Sequence, residues 1–377
     1  MTFRLRLGLL AAEAAGLASR MLGRGQGVAI KGRVLVAIAP DALRELSAGR
    51  RVVLVSGTNG KTSTTALLVS MLSPLGAIAT NGTGANLTGG VAAALAAQPR
   101  AATVVLEVDE MHLPMMLDAL RPIAVVLLNL SRDQLHRTQE VRVVANRWRE
   151  AFDRHPEVPV IVDYEDPFLA FVTQAHERTT RIGFGYRMHI DAACCPGCSY
   201  PLNWTPPRYH CEQCGLGGLT VDVQEPAADA IQRNAALARA AARFLGVADP
   251  PLDMTRDRVA SLRLGERELH LRLVKNPASW TEALQHLPEG PVILAVNARG
   301  VDGRDTSWLW DIDYTPLIGH PVVVTGDRRL DAAYRIGVAG VPHQLADDLE
   351  QATSAIPAGS APATVLMSYT AYIAVAS

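Results

Sequence analysis

Short continuous apolar runs, each closed by polar residues, recur from Arg51 onward: RVVLVSG, AATVVLEVDE, PIAVVLLNLS and VPVIVDYED. Stretches of helical spacing separate them, among them KTSTTALLVSMLSPLG. Strands buried on both faces read as unbroken apolar runs. Their alternation with helices predicts a parallel sheet covered on both sides. The rhythm breaks between His189 and Val223, where Pro196, Pro201, Pro206 and Pro207 fall, and this segment reads as an insertion. Helical spacing returns in DAIQRNAALARAAARFLG, and Pro250 and Pro251 mark a boundary. Beyond it, HLRLVKNP, GPVILAVNA and GHPVVVTGD predict strands of a second, smaller α/β domain. The expected organisation is a helical segment over 1–50, a middle domain over 51–250 with an insertion at about 189–223, and a C-terminal α/β domain over 251–377.

The first residues, MTFRLRLGLLAAEAAGLASRMLG, place Arg4 and Arg6 before an apolar run, as a signal peptide does. Glu13 and Arg20 interrupt that run, so the better reading is an amphipathic helix with Leu7, Leu10, Ala11, Ala14 and Leu17 on one face. Such a face is suited to rest on a membrane or a partner. No stretch reaches the roughly 18 uncharged apolar residues of a membrane span. A turn at GRGQG and a second helix at APDALRELSAG follow.

Composition narrows the function. The 377 residues are 49% hydrophobic and 19% charged, with a net charge of −1, which describes a globular protein with no basic excess for nucleic acid. The expected location is the cytoplasm. Lysine occurs at Lys31, Lys61 and Lys275, so nearly all positive charge is arginine. One of those lysines stands in VSGTNGKTS, directly after an apolar strand and at the start of a helix. This is the setting of a phosphate-binding loop. Gly57, Thr58, Asn59, Gly60, Lys61, Thr62 and Ser63 form the candidate ATP cradle. The glycines admit backbone N–H groups to the phosphates, and the helix dipole adds to the attraction. Lys61 is placed to bridge the outer phosphates, and the Thr62 hydroxyl to ligate Mg²⁺. Val55 occupies the place of the usual first glycine. The shortened loop GTNGKTS resembles that of the Mur ligase family, which joins a carboxylate to an amine through an acyl phosphate and includes folylpolyglutamate synthase.

The remaining motifs extend the resemblance. LEVDE sets Glu107, Asp109 and Glu110 at a strand's C-terminal end, where a parallel sheet faces its ligand. Glu107 is the candidate Mg²⁺ carboxylate, matching a Glu of the family. NLSRDQLHR resembles the family's Asn-x-x-x-Asp-His-Leu-Asp, with Gln134 and His136 departing from it. No lysine lies between Lys61 and Lys275, so the carbamylated lysine of many Mur ligases has no counterpart. RNAALARAA resembles the helix that lies near the adenine, with Asn234 at the matching position. In VKNPASWTEAL, Lys275 and Asn276 match a segment that reaches back to the nucleotide. GANL, from Gly84 to Leu87, is also similar to the family.

Cys195 with Cys198 and Cys211 with Cys214 form two Cys-x-x-Cys pairs, suited to a tetrahedral metal, of which Zn²⁺ is the expected one. Four thiolates close the coordination shell, which makes the site structural. Cys194 is left over. A Mur ligase core with an inserted four-cysteine ribbon resembles the MurT branch of the family. That resemblance implies ATP-dependent amidation of the α-carboxylate of D-isoglutamate in the lipid II stem peptide, with ammonia from a class I glutaminase of the GatD type. In DGRDTSWLWDIDY it implies that Asp311, with Asp313 second, completes the partner's Cys-His triad. Trp308 and Trp310 beside these acids are expected to be exposed at the interface. The alternatives are a stand-alone ligase of the folylpolyglutamate type and a nucleotide-binding scaffold without catalysis.

Overall fold

The computed structural model describes all residues except 22–26, 83–84, 134–139, 186, 207, 228, 251–259, 358–360 and 377. Gly84, Gln134, His136 and Pro251 therefore lie outside the described residues. The chain divides into two compact units, Met1–Ser131 with Glu140–Thr255, and Arg132–Gln139 with Arg256–Ser377.

In the first unit a seven-stranded sheet runs β1 (Arg51–Ser56), β2 (Ile78–Thr80), β3 (Thr103–Val108), β4 (Ala124–Leu127), β5 (Val160–Asp163), β6 (Thr179–Gly183) and β9 (Val223–Gln224). The spatial order is β2-β3-β1-β4-β5-β6-β9, and every pairing is parallel. Alternate residues of one strand enter opposite cores. Val52 and Leu54 join one cluster with Leu106, Leu127 and Trp148, while Val53 and Val55 join another with Leu68, Met71 and Leu237. This two-sided burial is why the strands are apolar throughout. From β1 the chain runs out to the edge strand β2, comes back to β3 beside β1, and then crosses to β4 on the other side. The crevice beyond the carboxyl ends of β1, β3 and β4 is thus a topological switch point.

The N-terminal segment holds three helices where two were expected. Helix α1 (Phe3–Met21) buries Leu5, Gly8, Ala12 and Gly16, whereas Leu7, Leu10, Ala14 and Leu17 face away from the protein. Its inner face is small because a second helix, Val28–Ile38, crosses close by: a Cβ on Gly8 would meet Leu35 at 3.1 Å. The β-branched sequence of that second helix favours a strand, but tertiary packing overrides the preference. Its Gly32 lies so near Gly89 that an added Cβ would sit 1.7 Å from the Gly89 carbonyl oxygen.

The insertion carries a two-stranded antiparallel sheet, β7 (Asn203–Thr205) with β8 (Arg208–His210). Cys195, Leu202, Tyr209, Cys211 and Leu216 join the larger core of the first unit, and the Tyr209 hydroxyl donates to the Tyr164 carbonyl at 3.0 Å. The second unit holds a six-stranded sheet of β10 (Ala260–Leu264), β11 (Arg267–Leu273), β12 (Val292–Ala295), β13 (Val322–Thr325), β14 (Gln344–Leu345) and β15 (Ala363–Met367), in the order β10-β11-β15-β12-β13-β14 and parallel except for the β10–β11 hairpin. Its central strand β15 was not legible in the sequence, because its apolar run continues into the helix Tyr369–Ala376 without a change of pattern.

β5 ends in a buried acidic run. Burial raises Asp163 to about 6 against the charges of Arg187 and Arg233, and raises Glu165 to about 7 against Arg208. Asp166 stays low despite its burial, because His189 and the Leu130 N–H support its charge. A raised carboxyl keeps its proton in the folded state after the unfolded chain has released it. The contribution of Asp163 and Glu165 therefore falls as pH rises from about 4, the ordinary carboxyl value, to about 7. Glu165→Gln is expected to match the parent in urea unfolding at pH 4 and to exceed it at pH 8.

Candidate functional site

The loop after β1 is built by its neighbours. Gly57 has φ +147, and a Cβ there would lie 3.0 Å from the Asn129 backbone nitrogen and oxygen. Gly60 has φ +84, and its Cβ would lie 2.3 Å from Asn234 Nδ2. No other residue fits either position without displacement. Asn234, on the helix Ala230–Phe244, is thereby seated directly on the loop.

Asn129, just past β4, clamps the loop from the other side. Its Oδ1 accepts from the Asn59 N–H at 2.9 Å, its Nδ2 donates to the Asn59 carbonyl at 3.0 Å, and its carbonyl accepts from the Thr58 N–H at 2.9 Å. The Ser131 N–H donates to Thr58 Oγ1 at 3.0 Å. The loop leads into the helix Lys61–Met71, whose N-terminus carries no side-chain cap. An anion would satisfy the open N–H groups of that first turn, where Thr62 and Ser63 also stand.

Lys61 is buried. Its Nζ donates to the Gly57 carbonyl at 2.5 Å, to the Thr58 carbonyl at 3.1 Å and to Glu110 Oε2 at 2.9 Å. An ammonium has three donors, so a phosphate oxygen would have to replace one of these acceptors. Glu110, whose carbonyl also accepts from Trp148 Nε1 at 2.7 Å, is the ion partner that LEVDE contained but did not single out. Asp109 lies below the usual carboxylate range. Burial opposes this, but the His112 ring, the Met111 N–H and the charge of Lys61 outweigh it.

Glu107 is held differently. Its backbone N–H donates to Asn81 Oδ1 at 2.9 Å and its carbonyl accepts from Asn81 Nδ2 at 2.8 Å. Its Oε1 accepts from Asn86 Nδ2 at 3.0 Å, while the buried Oε2 has no hydrogen-bond partner among the described residues. A buried carboxylate oxygen without a donor is costly. A divalent cation would satisfy it, so Glu107 fits as a Mg²⁺ ligand; Thr62 stays the sequence candidate for a second one. Asn81 and Asn86 were missed as its supports. Asn86 lies in GANL, which gave a signal without a role.

The other nucleotide candidates, Lys275 and Asn276, belong to the second unit. Lys275 Nζ donates to Asp133 Oδ2 at 2.7 Å within that unit. Asn276 caps the helix Pro277–Gln285, its Oδ1 accepting from the Ser279 N–H at 3.0 Å, with Ser279 completing a capping box. Asp311 ends the 3₁₀ turn Ser307–Asp311, and its Oδ2 accepts from Arg132 Nη1 at 2.9 Å. Asp313 is exposed, with Oδ1 accepting from the Thr315 N–H at 2.9 Å; that bond and one from the Thr315 side chain lower it. Trp310 is exposed, but Trp308 is half-buried against Trp280, with ring centroids 6.2 Å apart. The expected pair of exposed tryptophans is therefore one.

The four cysteines converge. The sulfurs of Cys195, Cys198, Cys211 and Cys214 lie within 4.8 Å of one another, a set compatible with tetrahedral zinc. The two pairs sit in matching knuckles. Ser199 N–H donates to the Cys195 carbonyl at 2.9 Å, as Gly215 N–H does to Cys211 at 2.8 Å, and Ser199 and Gly215 have φ +66 and +72. Cys194 bridges to Pro201 and stays outside the cluster. Burial pushes the Cys195 thiol up to about 12, so ionisation at neutral pH calls for a metal to displace its proton.

Two outcomes are expected. Lys61→Ala strands a buried Glu110 and should cost about 3–5 kcal/mol in urea unfolding. Lys61→Met with Glu110→Gln should recover part of that, which a double-mutant cycle measures. Metal analysis of the purified chain should find one zinc per molecule, and Cys198→Ser should lose it.

Comparison with known proteins places this geometry. The Mur ligase middle domain family matches residues 55–193, and the MurT ligase C-terminal family matches residues 273–372. The lipid II isoglutaminyl synthase (glutamine-hydrolyzing) subunit MurT of Streptococcus pneumoniae (strain ATCC BAA-255 / R6) is 30% identical, covering 99% of this chain and 96% of its own length. The subunit of the same description from Staphylococcus aureus (strain N315) is 27% identical, covering 91% of this chain and 90% of its own. Among solved structures, a pseudomurein peptide ligase type C from Methanothermus fervidus shares the fold. Its TM-score is 0.61 at 16% identity, over 87% of this chain and 77% of that one. An end-to-end match at 30% identity, with both domain families present, leaves one assignment: the chain belongs to the MurT family, a branch of the ATP-dependent Mur ligases.

Proposed function

We propose that this chain is the synthetase subunit of a glutamine-dependent enzyme that amidates lipid II. The acceptor is the α-carboxylate of D-isoglutamate in the stem peptide, and the product is D-isoglutamine. The observation that carries the reading is the near full-length match to relatives described as that subunit.

The chemistry we propose is the one that the family resemblance implies. A carboxylate oxygen of the substrate attacks the γ-phosphorus of ATP, the bond to the bridging oxygen breaks and ADP leaves, giving an acyl phosphate. Ammonia then attacks the acyl carbon, inorganic phosphate departs and the nitrogen loses a proton. Two anions must approach in the first step. The loop Gly57–Ser63, Lys61 and the uncapped helix N-terminus supply the opposing positive field. Mg²⁺ at Glu107 and Thr62 would neutralise further phosphate charge. Asn234 borders the loop where the adenine side is expected, and Lys275 and Asn276 stay the sequence candidates for ribose or phosphate contacts.

Ammonia is mostly ammonium at neutral pH, so a glutaminase that releases it locally meets a real need. A GatD-type class I partner would bring the Cys and His, and Asp311 would orient that His as the third member of its triad. The surface around Asp311 supports docking. Its turn is anchored by buried Leu309, with Ile312 buried directly after it, and Trp310 stacks edge-on against Tyr334 at 6.2 Å. Leu330, Tyr334 and Val338 form an exposed apolar row on one helix. Asp313 stays the second choice from the sequence; each acid has one oxygen engaged, Asp311 Oδ2 by Arg132 and Asp313 Oδ1 by Thr315.

The test is co-expression with a GatD-type glutaminase, followed by amidation of lipid II with glutamine or with added ammonium. Asp311→Asn is expected to lower the glutamine-driven rate by up to roughly 10⁴-fold, as loss of a triad acid does, and to keep the ammonium-driven rate. Lys61→Ala is expected to abolish both. Loss of both in Asp311→Asn would move that residue into the synthetase site or the fold. ATP turnover without a partner, with an amino acid as nucleophile, would make the chain a stand-alone ligase.

A further inference from the structure

The outer face of α1 is an apolar feature that the proposed function leaves unused. Phe3, Leu7, Leu10, Leu17 and Met21 are 79%, 48%, 72%, 54% and 80% exposed. With exposed Ala14 they recur every three or four residues, so they form one stripe along the full helix. The stripe lies opposite the buried Leu5, Gly8, Ala12 and Gly16, which pack on the second helix. An ordinary surface helix has one apolar side, and this one has two.

We propose that α1 lies in the interface of an anionic lipid membrane, with this stripe in the acyl boundary. Charge selects the occupant. Arg4 and Arg6 flank the stripe on its two sides, and Arg20 stands near its far end. The acid on the helix, Glu13, is neutralised by Lys31, whose Nζ lies 2.6 Å from its Oε2. The face presented outward is therefore apolar with a net positive rim, which complements anionic headgroups. Charged residues among its 19 positions and the packed inner face fit a helix that lies on a bilayer. None of the helices among the described residues is long and apolar enough to cross one. The inference stands on the helix alone and does not rest on the proposed reaction.

The test is flotation of the full-length chain with phosphatidylcholine vesicles, with and without about one third phosphatidylglycerol, in the absence of ATP and substrate. The chain is expected to float with the anionic vesicles, and added salt should weaken the binding. Leu10→Asp with Leu17→Asp should abolish flotation with an unchanged thermal unfolding curve, since both side chains are exposed. Arg4→Glu with Arg6→Glu should lose the preference for anionic lipid. No flotation with anionic vesicles would overturn the proposal, as would equal flotation of the Leu10→Asp, Leu17→Asp variant. Concentration-dependent self-association that this variant removes, without vesicle binding by the parent, would assign the stripe to a second copy of the chain instead.

Discussion

A loop of backbone amides holds an anion at the least entropic cost when its shape is fixed beforehand, and in this protein the Asn129 side chain fixes it. One amide bonds both the N–H and the carbonyl of Asn59, while the Asn129 backbone holds Thr58. Gly57 and Gly60 are glycines because Asn129 and Asn234 approach within the space of a Cβ. The sheet order that puts β4 beside β1 is what brings Asn129 to the loop. Preorganisation of this kind spares the ligand the entropy of ordering the loop.

The same crevice concentrates charge in a protein poor in lysine. Lys61 is buried with three acceptors around it, and Glu110 balances it at 2.9 Å. Glu107, three residues earlier, keeps one buried oxygen without a donor among the described residues. Two glutamates of one strand end thus have opposite assignments, one satisfied by a lysine and one fit for a metal. Strand geometry separates them, because β3 ends at Val108 and the chain turns before Glu110.

The cysteine insertion is stabilised in two ways. Its four sulfurs converge in two matching knuckles, and its apolar side chains join the core of the body rather than forming their own. A small insertion cannot bury enough surface to order itself. Tyr209 and Leu216 attach it to the sheet, and a metal would close its tip.

Local sequence determined much of this protein. Apolar runs ending in polar residues specified the parallel sheet, because a strand covered on both faces has no polar side to show. The glycines with Lys61 and Thr62 specified the loop, and Cys-x-x-Cys spacing specified the cluster, since both are encoded within a few residues. Tertiary structure alone decided which acid of LEVDE pairs with Lys61, which face of α1 is buried, and that Trp308 packs inward while Trp310 stays outside. Each of those depends on an element distant in the chain: Trp148 and the loop for Glu110, Leu35 for α1, Trp280 for Trp308. A local pattern records what a residue prefers, and only the fold supplies the neighbour that uses it.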